Sequence, residues 1–123
     1  LYSKSQLNTG SIKTFGRISS VSSLLDRTGL SPEALLTGEG SLGAGWERAG
    51  YRALPGPKQT RPGNDKYYRG GYITQTHGSG SGGRVDCIQL ELPSELTNTT
   101  LSRRKFAETI GGVVAEFHKR YYL

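Results

Sequence analysis

Glycine and proline interrupt this chain so often that long buried elements are excluded from most of its length. The 123 residues contain 18 glycines and five prolines. Three prolines and two glycines fall within residues 55–66, and residues 78–83 read GSGSGG, so both stretches are predicted loops. Because only 33% of the residues are apolar, the core must come from a few short segments. Residues 1–123 therefore form at most one domain, or half of one.

Three short helices are predicted in the first fifty residues. Residues 18–27 place apolar side chains on one helical face, and Gly29 follows as a stop signal. The sequence SPE at residues 31–33 combines a serine cap, a proline at the first helical position and an acid in the first turn. Residues 41–49 repeat apolar residues at helical spacing, which indicates another short helix.

Two segments are predicted to be β-strands. Residues 72–76 (YITQT) are rich in β-forming residues, and residues 85–92 (VDCIQLEL) alternate between two faces. The alternation places Gln89 and Glu91 on the same face as Cys87. We therefore expect an α/β fold in which a small mixed sheet is covered by helices.

The carboxyl end is predicted to be an amphipathic helix. Apolar residues recur there at intervals of three and four, and charged residues fall off the stripe. We expect this helix to dock on a sheet or on another subunit. The pair Gly111-Gly112 in its middle costs about 1 kcal/mol per glycine, which close approach to a strand would explain. The stripe comprises Phe106, Ile110, Val113, Val114, Phe117 and Tyr121.

The basic charge permits binding to polyanions but does not favour it. The net charge is +6 and the isoelectric point is about 9.7. Basic residues are scattered apart from the run Arg103-Arg104-Lys105, and no aromatic RNA-binding pattern accompanies them. A solvated basic surface is therefore favoured over nucleic-acid binding. No apolar run of about 20 residues occurs, so we expect no membrane span.

The chain begins at Leu1 and contains no methionine, so we expect a processed product or a segment of a longer protein. In a secreted or extracellular product, the sequon at Asn98 would be a candidate glycosylation site. Cys87 is the only cysteine. It is either a buried free thiol or the candidate for a disulfide with a partner chain.

Local spacing gives no complete catalytic signature. Two histidines, His77 and His118, and one cysteine cannot supply a usual three-ligand metal site, so no metal or other cofactor is expected in this chain alone. Gln89 and Glu91 stand out because a buried, unpaired carboxylate costs several kcal/mol. Their strand is therefore expected either to line a cleft or to lie at an edge.

The segment that begins at Tyr67 reads YYRGGYITQTHGSGSGGRVDCIQLELP. Its glycine pair before an aromatic-led strand, His-Gly step, glycine-rich loop and terminal Gln-x-Glu resemble the distal part of the N-formylglutamate amidohydrolase family. The resemblance extends over about residues 1–120, and its specific part is residues 67–93. It implies a zinc amidohydrolase with a three-layer α/β/α fold similar to zinc carboxypeptidases, of which this chain would form the carboxy-terminal half.

The resemblance also assigns roles to individual residues. It makes Glu91 the candidate general base, which would take a proton from the attacking water. His77 would lie near the cleft, and Arg69 would pair with a carboxylate of the substrate. The glycine pair would let the backbone approach the substrate. The candidate substrate-binding residues are Arg69, Gly70, Gly71, His77 and Gln89.

The family's zinc ligands lie on the part of the fold that would precede Leu1, so zinc is expected only when that half is present. The leading hypothesis is the distal half of an amide hydrolase, completed by a second polypeptide or by a copy of itself. Its substrate would be a small amide that bears a carboxylate. The alternative is a non-catalytic binding or structural module in an oligomer. A third hypothesis, a basic polyanion-binding protein, depends on charge alone.

Overall fold

The computed structural model describes residues 3–9 and 18–123. Within these ranges the backbone forms α-helices and loops, and no β-strand. None of the described helices is long and apolar enough to cross a membrane. The helices are α1 (Lys4–Asn8), α2 (Ser22–Thr28), α3 (Pro32–Thr37), α4 (Leu42–Arg48), α5 (Tyr72–His77) and α6 (Thr100–Tyr121), with 3₁₀ turns at Ser79–Ser81 and Ser94–Leu96.

The local signals for the short helices are confirmed. Gly29 ends α2 in the left-handed conformation, at φ +67°. The side chain of Ser31 accepts a hydrogen bond from the N–H of Ala34 at 3.1 Å and so caps α3. Ser41 caps α4 in the same way. The start of α2 differs, because that helix begins at Ser22 and not at residue 18. Helix α1 has no counterpart among the predicted helices.

The core lies where α6 crosses the short helices. One face of α6 packs on α2 and α3 through Phe117 and Tyr121. A Cβ atom at Gly45 would lie 2.6 Å from Cγ1 of Val113, so the missing side chain lets α4 approach α6 closely. Phe106 is buried and meets the ring of Tyr51 edge-on, with centroids 5.3 Å apart. The principal buried cluster consists of Val21, Leu24, Leu25 and Leu35.

The terminal helix is confirmed, but the prediction that it docks on a sheet is wrong. It packs on helices of its own chain and not on a sheet. A Cβ atom at Gly111 or Gly112 would meet nothing within 4 Å, so this glycine pair faces open space. The close approach occurs instead at Gly45, on the partner helix α4.

The predicted α/β fold is wrong, and with it the three-layer α/β/α arrangement of a metallohydrolase. Residues 72–76 belong to α5, in which Gln75 donates its N–H to the carbonyl of Gly71 at 3.1 Å. β-propensity is weak and depends on a partner strand, whereas these local bonds satisfy the backbone of a short segment without one. Residues 85–92 form neither a helix nor a paired strand.

The proline-rich loop after α4 is ordered by polar side chains. Asp65 accepts hydrogen bonds from Gln59 and Arg52, and Gln59 also accepts from Arg52. The side chain of Asn8 on α1 accepts from the N–H of Gly63 at 2.8 Å, which joins the loop to the first helix. Residues 55–66 are therefore a loop, as predicted, with a fixed course.

Candidate functional site

Two of the predicted site segments meet through the side chain of Gln89. The N–H of Gly71 donates to Oε1 of Gln89 at 2.7 Å, and Nε2 of Gln89 donates to Oε1 of Glu91 at 2.6 Å. A hydrogen bond between side chains two residues apart places Gln89 and Glu91 on the same side of the backbone, as in an extended chain. The start of α5 is thus connected to the candidate base by one continuous chain of hydrogen bonds.

The backbone conformation and the surroundings of residues 70 and 71 explain why both are glycine. Gly70 adopts φ +94°, a left-handed conformation that favours glycine. A Cβ atom at Gly71 would lie 3.1 Å from Oε1 of Gln89, so any side chain at residue 71 would crowd that hydrogen bond. The pair was predicted to let the backbone approach a substrate. In the structure the backbone of Gly71 approaches Gln89.

Asp86 holds the segment that carries Gln89 and Glu91. Its carboxylate accepts hydrogen bonds from the hydroxyl of Ser79 at 2.7 Å, the hydroxyl of Tyr122 at 3.0 Å and the N–H of Leu24 at 3.3 Å. These donors come from the 3₁₀ turn after α5, the end of α6 and the first turn of α2. Asp86 therefore fixes the start of the segment against three separate parts of the fold.

The phenol of Tyr122 lies in a partly buried, charged environment. Burial first, and then the hydrogen bond and charge of Asp86, raise the pKa of Tyr122 to about 12. The guanidinium of Arg27 opposes this shift from a position 4.5 Å over the ring. The imidazole of His118 stacks parallel to the same ring, with centroids 5.3 Å apart.

Glu91 is exposed, and only one of its carboxylate oxygens has a hydrogen-bonding partner among the described residues. The bonded oxygen fixes the orientation of the carboxylate, and the other oxygen is open. An oriented carboxylate with a free oxygen is able to accept a proton from a water molecule or a substrate group. Nothing else in the described part of the chain combines orientation and access in this way at the predicted site.

The other predicted residues are not drawn into this cluster. Arg69 is exposed and makes no hydrogen bond or ion pair with the residues that the structure describes. His77 is exposed at the end of α5 and meets the ring of Tyr72 edge-on, with centroids 6.5 Å apart. Neither side chain forms a hydrogen bond or an ion pair with Gln89 or Glu91.

The two candidate modification sites differ in access. Cys87 is half-buried, and its N–H donates to the carbonyl of Ser20 at 2.9 Å. Asn98 is exposed immediately before Thr99, which caps α6.

Two residues of the basic run at 103–105 interact with near neighbours in the sequence. Arg103 donates a hydrogen bond to the carbonyl of Thr97, and Arg104 forms an ion pair with Glu108.

Residues 3–9 and 18–123 contain no group of three or more histidine, cysteine, aspartate or glutamate side chains placed to hold a metal ion. Sequence reasoning identified Gln89 and Glu91 but missed Asp86, Ser79 and Tyr122. A carboxylate on the apolar face of residues 85–92 was the available signal for Asp86. The partners of Asp86 lie 7, 36 and 62 residues away, so no local pattern reveals them.

Comparisons of the chain with models of protein families, with curated proteins and with solved structures find no match.

Proposed function

We propose that this chain supplies one side of an amide-hydrolysing site, completed by a metal-binding polypeptide segment outside residues 1–123. The observation that carries this proposal is the chain of hydrogen bonds from Gly71 through Gln89 to Glu91. It joins the glycine pair and the Gln-x-Glu sequence, the two features that resemble the N-formylglutamate amidohydrolase family. These residues are 18 positions apart in the sequence and meet in the structure.

Glu91 is the proposed general base. Its open oxygen takes the proton from the attacking water, while the hydrogen bond from Gln89 to its other oxygen keeps the carboxylate oriented. The described residues do not by themselves fit a zinc site, so the metal belongs to the completing segment. There it would act as a Lewis acid on the water or the amide carbonyl. Arg69, exposed two residues before Gly71, is available to pair with a carboxylate of the substrate.

The test is Glu91→Gln in a complex of this chain with the metal-binding amino-terminal half of an N-formylglutamate amidohydrolase. The amide keeps the shape of the side chain but cannot take the proton. We expect turnover of an N-acyl amino acid to fall by roughly 10²–10⁴-fold. Glu95→Gln is the matched control, because Glu95 is also exposed and, among the described residues, its side chain accepts a hydrogen bond only from Ser94. A Glu91→Gln rate within about threefold of wild type would exclude Glu91 as the base.

A second candidate function is a non-catalytic binding module. The observation that favours it is the exposure of large apolar side chains beside the candidate site, among them Tyr72 at 77% and Ile73 at 67%. Such a module would form the same complex and show no turnover with any N-acyl amino acid. Complex formation and turnover, measured on one preparation, therefore separate the two functions.

A further inference from the structure

Residues 88–92 present an apolar face to solvent. Gln89 and Glu91 point to one side of the backbone, towards the start of α5. In an extended chain the intervening residues point to the opposite side. Those residues are Ile88, Leu90 and Leu92, which are 51%, 37% and 42% exposed.

The backbone of the same residues is also unpaired. No N–H or carbonyl of residues 88–92 has a hydrogen-bonding partner in the described ranges. The preceding N–H, of Cys87, donates to the carbonyl of Ser20 and therefore points towards the segment just before α2. Successive N–H groups of an extended chain point to opposite edges, so we infer that those of Ile88, Leu90 and Leu92 point away from Ser20.

We propose that residues 88–92 pair with an extended strand of the polypeptide that completes the site. This inference rests on the proposed function and specifies the way in which that partner binds. The partner would present an unpaired strand edge that is apolar on the side facing Ile88, Leu90 and Leu92. A docking helix would cover the apolar face but would leave the open N–H and carbonyl groups unpaired, so a strand is the better complement. Such pairing places residues of the partner beside Glu91.

Amide hydrogen exchange of the 1:1 complex with the metal-binding half tests this directly. In the chain alone the amides of residues 88–92 should exchange at rates near those of an unstructured peptide. In the complex we expect exchange at Ile88, Leu90 and Leu92 to slow by about 100-fold or more, since strand pairing protects alternate amides. The amides of Gln89 and Glu91 are internal controls, because they point to the other edge.

A proline substitution separates the contribution of backbone hydrogen bonds to partner binding from that of side-chain contacts. Leu90→Pro removes an N–H that has no partner among the described residues, so the melting temperature of the chain should be unchanged. It should abolish the complex, whereas Leu90→Ala retains the N–H and should weaken binding only by lost apolar contact. Leu101→Ala removes a side chain of the same size from α6, where it is 78% exposed against 37% for Leu90, and should leave binding unchanged.

The outcomes separate this inference from the proposed function. Turnover in a complex whose residues 88–92 stay unprotected would overturn strand pairing and leave the hydrolase proposal standing. Protection without turnover would support strand pairing and count against hydrolysis. Absence of any complex, or protection that appears when the chain alone is concentrated and so reflects pairing of two copies, would overturn the inference.

Discussion

The hydroxyl of Tyr122 donates a hydrogen bond of 3.0 Å to the carboxylate of Asp86, which joins the end of α6 to the segment carrying the candidate base. Thirty-six residues separate the two side chains. Asp86 also accepts from Ser79 and from the backbone of α2. Asp86 and its donors therefore fix the start of residues 85–92 on the helical core, and hydrogen bonds of Cys87 and Gln89 hold the residues that follow.

Removal of the Tyr122 hydroxyl should destabilise the fold. Tyr122→Phe keeps the ring contacts with Arg27 and His118 but leaves Asp86 without one donor. We expect the free energy of unfolding in urea to fall by about 1–2 kcal/mol, because the acceptor is a carboxylate. Tyr68→Phe is the matched control, since Tyr68 is 60% exposed and has no partner among the described residues. Equal stability of the two variants would show that the bond contributes nothing.

The raised pKa of the same hydroxyl should make the stability of the fold depend on pH in the alkaline range. Its pKa is about 12 in the folded chain against 10.0 in the unfolded chain, so the folded state holds the proton more tightly. The resulting stabilisation is complete below about pH 10 and is lost as pH rises from about 10 to about 12. We therefore expect stability to fall less steeply across this window in Tyr122→Phe than in wild type. Urea unfolding at a series of pH values measures it, and parallel curves would contradict the assignment.

Two glycine substitutions should have opposite effects on stability. Gly45→Ala places a methyl group 2.6 Å from Val113, and overpacking of roughly 1–3 kcal/mol outweighs the gain of about 1 kcal/mol in helix propensity. Gly112→Ala meets open space on α6 and should stabilise the chain by about 1 kcal/mol. Denaturant unfolding of both variants provides the measurement. A stabilising Gly45→Ala would show that α4 and α6 are not in close contact.

The loop between α4 and α5 should loosen when Asp65 loses its charge. The hydrogen bond from Gln59, and then the bond and charge of Arg52, hold the pKa of Asp65 below its usual value of 3.8. Its contribution is present above about pH 3.8 and is lost as pH falls through the lower folded pKa. We expect Asp65→Asn to speed tryptic cleavage after Lys58 near neutral pH. Asp26→Asn, at an exposed residue of α2 without a partner in the described ranges, should leave that cleavage rate unchanged.

The helical parts of the fold could be predicted where the signal is local. The cap at Ser31 and the stop at Gly29 each act through bonds within a few residues, so the sequence alone identifies them. The apolar stripe of α6 likewise requires only a period of three to four residues. Its contact surface could not be predicted, because the exposed pair Gly111-Gly112 and the buried Gly45 look alike in sequence.

The two predicted strands failed for a different reason. A run of β-forming residues becomes a strand only when another strand pairs with it, and that pairing is a property of the tertiary structure. Residues 72–76 form a helix because helical hydrogen bonds are made within the segment and need no partner strand. Residues 85–92 keep the side-chain alternation, and Gln89 and Glu91 share one side as predicted, but no strand in the described ranges pairs with them.

By itself, then, the sequence determined the end of α2 at Gly29, the start of α3 at Ser31, the loop at residues 55–66 and the common side of Gln89 and Glu91, since each depends on near neighbours. Only the tertiary structure decided that Gly71 would meet Gln89 and that Asp86 would receive donors from α2, Ser79 and Tyr122. These contacts join residues 7 to 62 positions apart. Their formation depends on how the short helices pack on α6, and no local period encodes that packing.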